Sequence, residues 1–364
     1  MIGESAMTLQ SRMDGVIEQA LASRIVGCVV LLRRGGEQIY ARAAGLADRE
    51  AGRAMAQDAI FRLASVTKPI VATCVLRMVE AGLIGLDEAV TVYLPGFRPK
   101  APDGSQPKIT IRQLLTHTSG LTYGGAGEYA RGLAGPLISL DENMRRLAGE
   151  PLLFAPGMAW EYGMSIDVLG AVVAAVNGTD VAGAVARYVT GPLAMVDTGF
   201  GVRDAGRLAA AYVDGRPPKR MAEPEIVTDD DGETAFSPGR IFEASAPQSG
   251  GAGMAGTAGD VMALLEGVRS GFLRAATQEM AFANQVGDLM GRAGKGFGFL
   301  GAVLHDPVAA ETAMPVGAVD WGGAYGHNWV VDRGTGTVLV VCTNTAFEGC
   351  NGAFREEMVR AVYG

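Results

Sequence analysis

The sequence predicts an α+β fold in which strands from both chain ends form one antiparallel sheet and a mostly helical region is inserted between them. Three observations support this prediction. Strand-like segments cluster near the two termini, apolar residues in the middle recur with helical spacing, and 364 residues exceed the size at which one hydrophobic core stops growing. The composition, with 48% hydrophobic and 19% charged residues, is typical of a globular protein.

The first elements are an N-terminal helix and a β-hairpin. Residues 1–21 have a polar, mixed-charge helical pattern without the apolar core of a signal peptide. Segments 26–32 and 38–44 flank a turn at 34–36, which predicts the hairpin. The longest apolar run, 168–176, is too short to cross a bilayer. We therefore expect a cytoplasmic protein without membrane insertion.

The middle and the C-terminal part complete the predicted fold. Helices are predicted at 65–81, 110–116, 141–149, 164–177, 181–190 and 257–270, strands at 296–304, 324–332 and 336–344, and a last helix at 351–363. The polar stretch 217–239, which carries Pro and Gly, is predicted to be a long surface loop. We expect a discontinuous sheet domain (1–80 and 250–364), a helical domain (81–249) and an active site in the cleft between them.

Charge and motif spacing exclude several function classes. A net charge of −8 and a pI near 5.1 argue against nucleic acid as a partner, which needs a basic surface. The three histidines are far apart, and the four cysteines form no C-x-x-C pair, so no metal site is predicted. The glycines of 251–256 match a dinucleotide fingerprint, but no apolar strand precedes them. We expect no metal or organic cofactor.

Ser65 and Lys68 are the candidate reacting pair. Residues three apart are neighbours on one helix face, so the Lys68 amine can reach the Ser65 hydroxyl. A serine needs such a neighbour to attack a carbonyl. Ser65 lies at the predicted N-terminus of helix 65–81, where backbone N–H groups favour developing negative charge. A helix-capping serine followed by a solvated lysine is the alternative interpretation.

Two further segments supply candidate groups. Tyr162 follows a Pro-Gly turn and opens a helix, so its phenol could handle protons beside the Lys68 ammonium; a buried aromatic residue is the alternative. Trp321, Gly322 and Gly323 are predicted to open a strand, where glycines allow close backbone approach to a ligand. A backbone N–H there could pair with that of Ser65 as an oxyanion hole, although a simple Gly-rich turn fits equally.

Taken together, these motifs resemble the serine β-lactamase and penicillin-binding-protein-like hydrolases, most closely their esterase branch, the family VIII carboxylesterases. The similarity covers nearly the whole chain. It is carried by 61–69, which includes Ser-Val-Thr-Lys, and by 114–121, Pro156-Gly157 leading to Tyr162, 249–253 and Trp321-Gly322-Gly323. The resemblance implies a β-lactamase-like fold and a small-molecule substrate.

The resemblance also implies residue roles. Ser65 would be the acylated nucleophile, Lys68 its activator and Tyr162 the general base and acid. Ala324 falls where the family supplies the second oxyanion N–H, and Trp321-Gly322-Gly323 would line the substrate site. His117 lies in a stretch that we interpret as structural.

Two departures from the β-lactamase pattern favour an esterase. Met164 stands where such β-lactamases have the asparagine of Tyr-x-Asn, and it offers no hydrogen bond to a lactam side chain. Trp321-Gly322-Gly323 replaces Lys-Thr-Gly and removes a cation. We therefore expect a carboxylesterase for neutral, small to medium acyl esters. A β-lactamase or D-peptidase, an acyltransferase and a non-turnover penicillin-binding module are the alternatives.

Overall fold

The protein is described by a computed structural model over residues 8–229 and 232–364. The α-helices of this part are α1 (Leu9–Leu21), α2 (Thr67–Glu80), α3 (Ile111–Leu115), α4 (Leu140–Leu147), α5 (Ser165–Asn177), α6 (Val181–Val185), α7 (Ala258–Arg269), α8 (Ala275–Phe282) and α9 (Ala353–Tyr363). Short 3₁₀ turns and one π-helical turn, Ala186–Thr190, connect some of them.

The strands of the described part form one large sheet and three small ribbons. They are β1 (Gly27–Arg34), β2 (Glu37–Asp48), β3 (Arg53–Ala54), β4 (Ile60–Arg62), β5 (Tyr212–Val213), β6 (Lys219–Arg220), β7 (Glu225–Asp229), β8 (Gly232–Phe236), β9 (Ala255–Thr257), β10 (Lys295–Phe297), β11 (Ala302–Leu304), β12 (Val319–Gly323), β13 (His327–Asp332) and β14 (Thr337–Thr343).

The large sheet joins the two ends of the chain, as predicted. Its eight strands have the order β10-β11-β12-β13-β14-β1-β2-β3. The N-terminal β1 pairs antiparallel with the C-terminal β14, in a register that places Cys28 opposite Thr343 and Arg34 opposite Thr337. The predicted α+β class, with one antiparallel sheet built from both chain ends, is thereby confirmed.

The two faces of this sheet pack against different helices. Because successive strand side chains point to opposite faces, Val29 of β1 joins one core with residues of α7, whereas Val30 joins the other. This second core contains Ile17 of α1 and Phe354 of α9. The central strands are therefore buried on both faces, and β14 is buried throughout its length.

A second helical layer surrounds the buried helices α2 and α5. Residues Ser165 to Ala174 of α5 are all buried, and α5 contacts α2, α3, α4 and α6. The helix ends at Gly178, whose φ of +67° is readily adopted only without a side chain. Hydrophobic burial on every side explains why α5 has the longest apolar run of the sequence.

Two predicted strands differ from the observed ones. Segment 296–304 is not one strand, because β10 and β11 fold back on each other at a turn in which the Gly298 amide donates to the Gly301 carbonyl over 2.8 Å. Segment 324–332 forms a strand only from His327, and the unpredicted β12 precedes it. Gly322 and Gly323 therefore end a strand rather than open one, and Ala324 lies in the β12–β13 turn.

The prediction of a long surface loop at 217–239 was wrong. This stretch contains β6 and an antiparallel hairpin, β7–β8, that pairs Glu225 with Phe236. The hairpin is held by Phe236, which is fully buried against Tyr325 and Phe347. Helix α8 was also not predicted. Both elements depend on contacts with distant parts of the chain, which local polarity does not reveal.

Four further predictions concern membrane spans, the N-terminal helix, the cysteines and the domain division. Within the described chain, no single helix is long and apolar enough to span a membrane, and only α5 with 181–190, a pair bent by 78°, reaches that length and composition together. The first seven residues of the predicted N-terminal helix lie outside the described residues. Cys28, Cys74 and Cys342 are buried free thiols, and Cys350 is half-buried. The division into two domains stays a prediction.

We expect His327 to make the protein less stable in acid. His327 is 1% exposed, its Nε2–H donates to the Arg62 carbonyl over 2.8 Å, and burial lowers its pKa to about 4. The unfolded chain takes up this proton near pH 6.5. Stability is therefore complete above pH 6.5 and falls by up to about 3 kcal/mol as the pH decreases to 4.

Thermal denaturation between pH 4 and 7.5 measures this effect. The His327→Gln variant is expected to lose part of the pH dependence, and the exposed His305 provides the control variant His305→Asn. Burial likewise lowers the pKa of His117 well below its ordinary value, so some dependence remains in His327→Gln. A wild-type Tm that does not change with pH would contradict the prediction.

Candidate active site

A rigid backbone holds Ser65 at the start of α2. Strand β4 pairs with β9, and the Leu63 amide then donates to the Met254 carbonyl over 2.8 Å. Ala64 has a φ of +45°, which is costly for a residue with a side chain. Ser65 follows in a single 3₁₀ turn that leads directly into α2. The predicted position of Ser65 at a helix N-terminus is thus observed, with strain in the residue before it.

Lys68 uses each of its three N–H donors. Its Nζ donates to Ser65 Oγ over 3.1 Å, to the Tyr123 hydroxyl over 3.0 Å and to the Gly251 carbonyl over 2.8 Å. Gly251 also lies close to Asp167, since a Cβ on this glycine would be 2.3 Å from Asp167 Oδ2. Three acceptors around one amine form the environment that an ammonium ion requires.

Electrostatics favours the charged form of Lys68. The side chain is buried, which by itself lowers its pKa, but Tyr123, Tyr162 and Asp167 outweigh burial, so the pKa of Lys68 is raised. In its charged form, Lys68 can orient Ser65 Oγ and stabilise negative charge on it.

Tyr162 lies between this ammonium and Trp321. The Lys68 Nζ is 4.5 Å from the centroid of the Tyr162 ring, and the indole Nε1–H of Trp321 donates to the Tyr162 hydroxyl over 3.1 Å. A cation and a hydrogen-bond donor both stabilise a phenolate. The Tyr162 hydroxyl makes no hydrogen bond with Ser65 in the described chain, so proton transfer between them needs a small movement or a bound substrate.

The end of β12 approaches the nucleophile closely. A Cβ on Gly323 would lie 2.4 Å from the Leu63 carbonyl and 3.2 Å from Val66, so only glycine permits this contact. Ala324 follows in the turn, and its amide makes no backbone hydrogen bond within the described residues. β11 pairs only with Val319 and Asp320 of β12, which leaves the last part of β12 open toward the cleft.

These residues line one cleft of about 250 Å³. All the predicted site residues except Lys68 and Gly323 contribute to its surface, and Lys68 lies buried behind Ser65. Lys295 and Arg355 line the cleft too, but both pair with Asp320. The Arg292 guanidinium lies over the rings of Trp160 and Trp321, 5.8 and 5.9 Å from their centroids. The cleft therefore combines an aromatic wall with one cation that has no carboxylate partner among the described residues.

Sequence reasoning missed two residues that contact this centre. Tyr123 accepts a hydrogen bond from Lys68, and burial raises the pKa of its phenol. Asp167 of α5 is buried, accepts a hydrogen bond from Ser249 and supports the charge of Lys68. Tyr123 lies just beyond the segment 114–121 that carries the resemblance, so its position was a usable signal. No pattern in the sequence pointed to Asp167.

His117 and Met164 have structural positions. His117 is 1% exposed, accepts a hydrogen bond from the Gly163 amide and lies against Tyr162 with the ring centroids 4.7 Å apart. It therefore supports the loop that carries Tyr162. Met164 is fully buried in the main core. The side chain that replaces the asparagine of Tyr-x-Asn thus lies in the core and offers no polar group.

Replacing Trp321 by phenylalanine is expected to lower kcat by about 2- to 10-fold, the value of one neutral hydrogen bond. Phenylalanine retains the aromatic surface and removes only the donor to Tyr162. Steady-state kinetics measures this loss.

Trp160 provides the matched control for this experiment. It stacks on Tyr162 at 6.3 Å, but its Nε1 has no hydrogen-bond partner in the described chain. Trp160→Phe therefore removes an indole N–H without removing a bond to the phenol. Equal effects of the two substitutions on kcat would contradict the hydrogen-bonding role given to Trp321.

Comparison with known proteins shows the family to which the chain belongs. The sequence profile of the family described as Beta-lactamase matches residues 13–361. The chain belongs to the β-lactamase family. One curated relative, Esterase EstB of Burkholderia gladioli, is 48% identical over 376 residues, an alignment that covers 98% of this chain and 96% of EstB.

Two solved structures have the same fold as this chain. EstCE1, described as a hydrolase with promiscuous acyltransferase activity, superposes with a TM-score of 0.94 at 39% identity, covering 98% of both chains. The penicillin-binding protein of Bacillus halodurans superposes with a TM-score of 0.71 at 19% identity, covering 96% of this chain and 98% of its own. The second comparison concerns the fold alone. The resemblance recognised from the motifs is thereby confirmed.

Proposed function

We propose that the protein is a serine carboxylesterase that hydrolyses small to medium neutral esters through an acyl-enzyme on Ser65. The observation that carries the proposal is the Lys68 ammonium, 3.1 Å from Ser65 Oγ and 4.5 Å from the Tyr162 ring. This arrangement provides a nucleophile, a fixed positive charge and a phenol able to move a proton. The likeness to Esterase EstB, 48% identical over nearly the whole chain, supports the reaction class.

The first half of the reaction acylates Ser65. Tyr162 reacts as the phenolate: it accepts the proton of Ser65 as Oγ attacks the ester carbonyl, and Lys68 stabilises the charge that develops. The amides of Ser65 and Ala324 hold the tetrahedral oxyanion. Collapse of the intermediate breaks the bond to the alkoxy oxygen, and Tyr162 returns the proton to that oxygen. The alcohol leaves, and the acyl group remains on Ser65.

The second half releases the acid. A water molecule attacks the acyl carbonyl while Tyr162 accepts its proton, and the same two amides hold the oxyanion. Ser65 Oγ then leaves and takes the proton back from Tyr162. Every proton that the phenol accepts is returned within the cycle. Tyr123, unlike Tyr162, is hydrogen-bonded to Lys68, so it is the second candidate for this proton transfer.

The aromatic wall favours esters over β-lactams. Trp321 presents its ring where a carboxylate-binding lysine would be expected in a β-lactamase, and buried Met164 offers no amide to a lactam side chain. Arg292 is the exception, because its cation lies over the rings of Trp160 and Trp321. The comparison between substrates must therefore include an anionic β-lactam.

The experiment is hydrolysis of p-nitrophenyl acetate and butyrate beside nitrocefin, with wild-type and Ser65→Ala protein. Ester turnover that depends on Ser65, with little nitrocefin cleavage, is the expected result. Nitrocefin turnover equal to that of the esters would favour the β-lactamase alternative. A permanent acyl adduct without turnover in intact-mass spectra would favour a penicillin-binding module.

An acyltransferase is the second candidate function. The description of EstCE1 includes promiscuous acyltransferase activity, and this chain superposes on EstCE1 with a TM-score of 0.94. The same acyl-enzyme would transfer its acyl group to an alcohol instead of water. Adding a primary alcohol to the ester assay and measuring the new ester by chromatography tests this. Product ester in proportion to the alcohol would support transfer, and release of free acid alone would contradict it.

A further inference from the structure

A small cavity next to the oxyanion turn contains two arginines. It has a volume of about 40 Å³ and lies outside the cleft described above. Ala324 lines the cleft, and the next residue, Tyr325, lines this cavity. Arg62, three residues before Ser65, and Arg240 line it as well. The cavity therefore contacts both chain segments from which the proposed oxyanion amides come.

The guanidinium of Arg240 is incompletely bonded. The residue is 9% exposed, its Nη1 donates to the Gly135 carbonyl over 2.9 Å, and its buried Nη2 has no partner in the described chain. Burial lowers the pKa of Arg240 without a carboxylate to oppose it. A buried arginine retains its charge, and a buried charge without a counter-charge is strongly destabilising.

Arg62 is the second arginine that lines this cavity. Its Nε and Nη1 donate to the carbonyls of Pro238 and Ala209 over 2.7 and 3.0 Å. Pro238 begins the turn that carries Arg240, so the Arg62 guanidinium is bonded to the turn on which Arg240 lies. Neither forms an ion pair within the described residues. Carbonyl dipoles are the partners of both, and they do not neutralise two like charges.

The carboxylates nearby are otherwise engaged or exposed. Glu223 interacts electrostatically with Arg62, but its oxygens accept hydrogen bonds from Ser237 and the Gly239 amide. Glu243 lines the cavity and is exposed to solvent, with no side-chain bond in the described chain. No carboxylate of the described residues is bonded to Arg240 Nη2.

We propose that this cavity binds a small monovalent anion, a halide ion or a carboxylate group, between Arg62 and Arg240. A volume of about 40 Å³ is close to that of one or two water molecules, so the site accepts chloride, bromide or a carboxylate group and excludes larger anions. The anion supplies the missing counter-charge and holds the Pro238–Phe242 turn against the segment before Ser65. The carboxylate could be free in solution or, if the proposed esterase function holds, the end of an acyl chain.

The first test measures Tm in sodium chloride and in sodium gluconate at equal ionic strength. Above its dissociation constant, each tenfold increase in chloride is expected to raise Tm by about 2 °C, whereas gluconate is too large to enter. Arg240→Gln should remove the difference between the salts. Arg145→Gln, which changes an exposed arginine on α4, should retain it. Equal Tm values of the wild-type protein in both salts would overturn the proposal.

Crystals of the wild-type protein soaked in sodium bromide provide a test that does not depend on how Arg240→Gln folds. An anomalous peak within hydrogen-bond distance of Arg240 Nη2 is expected. Bromide found only at exposed arginines, with water in the cavity, would overturn the proposal.

A pair of substrates distinguishes the two sources of the carboxylate. Mono-p-nitrophenyl pimelate carries a free carboxylate, and its methyl ester is the neutral match. If the acyl chain supplies the anion, kcat/KM should be at least tenfold higher for the acid, and chloride should compete with it. Equal values for both substrates, together with a chloride-dependent Tm, assign the site to a free anion. Loss of esterase activity would leave the Tm and bromide tests intact.

Discussion

Ser65→Ala is expected to lower kcat for p-nitrophenyl butyrate by about 10⁴-fold or more, because loss of the nucleophile removes the acyl-enzyme route completely. The substitution should lower the rate of the reaction without lowering the stability of the fold. Ser65 lies in a turn whose backbone is held by the β4–β9 pair, so Tm should change little. Intact mass after treatment with diethyl p-nitrophenyl phosphate should show one phosphoryl adduct on wild-type protein and none on Ser65→Ala.

The matched control for this variant is Ser105→Ala. Ser105 is exposed, and its hydroxyl bonds only to Asp103 in the described chain. This variant should keep the wild-type rate and the phosphoryl adduct. A Ser65→Ala protein that still hydrolyses the ester at the wild-type rate would exclude the proposed nucleophile, and with it the acyl-enzyme mechanism.

Tyr162→Phe is expected to lower kcat by about 10²- to 10⁴-fold, the contribution of a positioned acid–base group. Phenylalanine preserves the ring against which Lys68, His117 and Trp321 pack, so only the hydroxyl is lost. The alkaline limb of the pH–rate profile should change at the same time. Stopped-flow measurement of p-nitrophenol release separates acylation, where the loss should already be present, from deacylation.

Tyr123→Phe tests the other phenol of the site. Its hydroxyl is bonded to Lys68 over 3.0 Å, so its removal should disturb the orientation of the ammonium and cost about tenfold. Tyr188 lies in the π-helical turn and does not line the cleft. Tyr188→Phe should therefore leave kcat unchanged. A larger loss in Tyr123→Phe than in Tyr162→Phe would reverse the assignment of the two tyrosines.

Local pattern predicted most of the regular structure. Helices α2, α5 and α7 lie within a few residues of their predicted bounds because their apolar residues recur at helical spacing. Strands β1, β2 and β14 were predicted from β-branched and apolar runs next to Gly-containing turns. The failures include β12, α8, the β7–β8 hairpin and the division of 296–304 into β10 and β11. These elements are short or polar, and their stability comes from residues far away in the sequence.

The candidate site likewise combines features that local sequence predicted with contacts that it could not predict. The spacing of Ser65 and Lys68 on one helical turn places their side chains together whatever surrounds them, and the observed separation is 3.1 Å. Tyr162 and Trp321 were selected from motifs and from the family resemblance. Their contact, a 3.1 Å hydrogen bond across 159 residues of sequence, could not be inferred, because helical periodicity carries no information about packing between distant segments.

The amino-acid sequence by itself therefore determined the fold class, the family and the position of Ser65 and Lys68 on one helical turn, since each depends on residue types at short, regular spacing. The tertiary structure decided the surroundings of Lys68. It brought Tyr123, Asp167 and the Gly251 carbonyl to Lys68 and turned the end of β12 toward Ser65. Ionisation depends on burial and on charges within a few ångströms, and these distances exist only once the chain has folded.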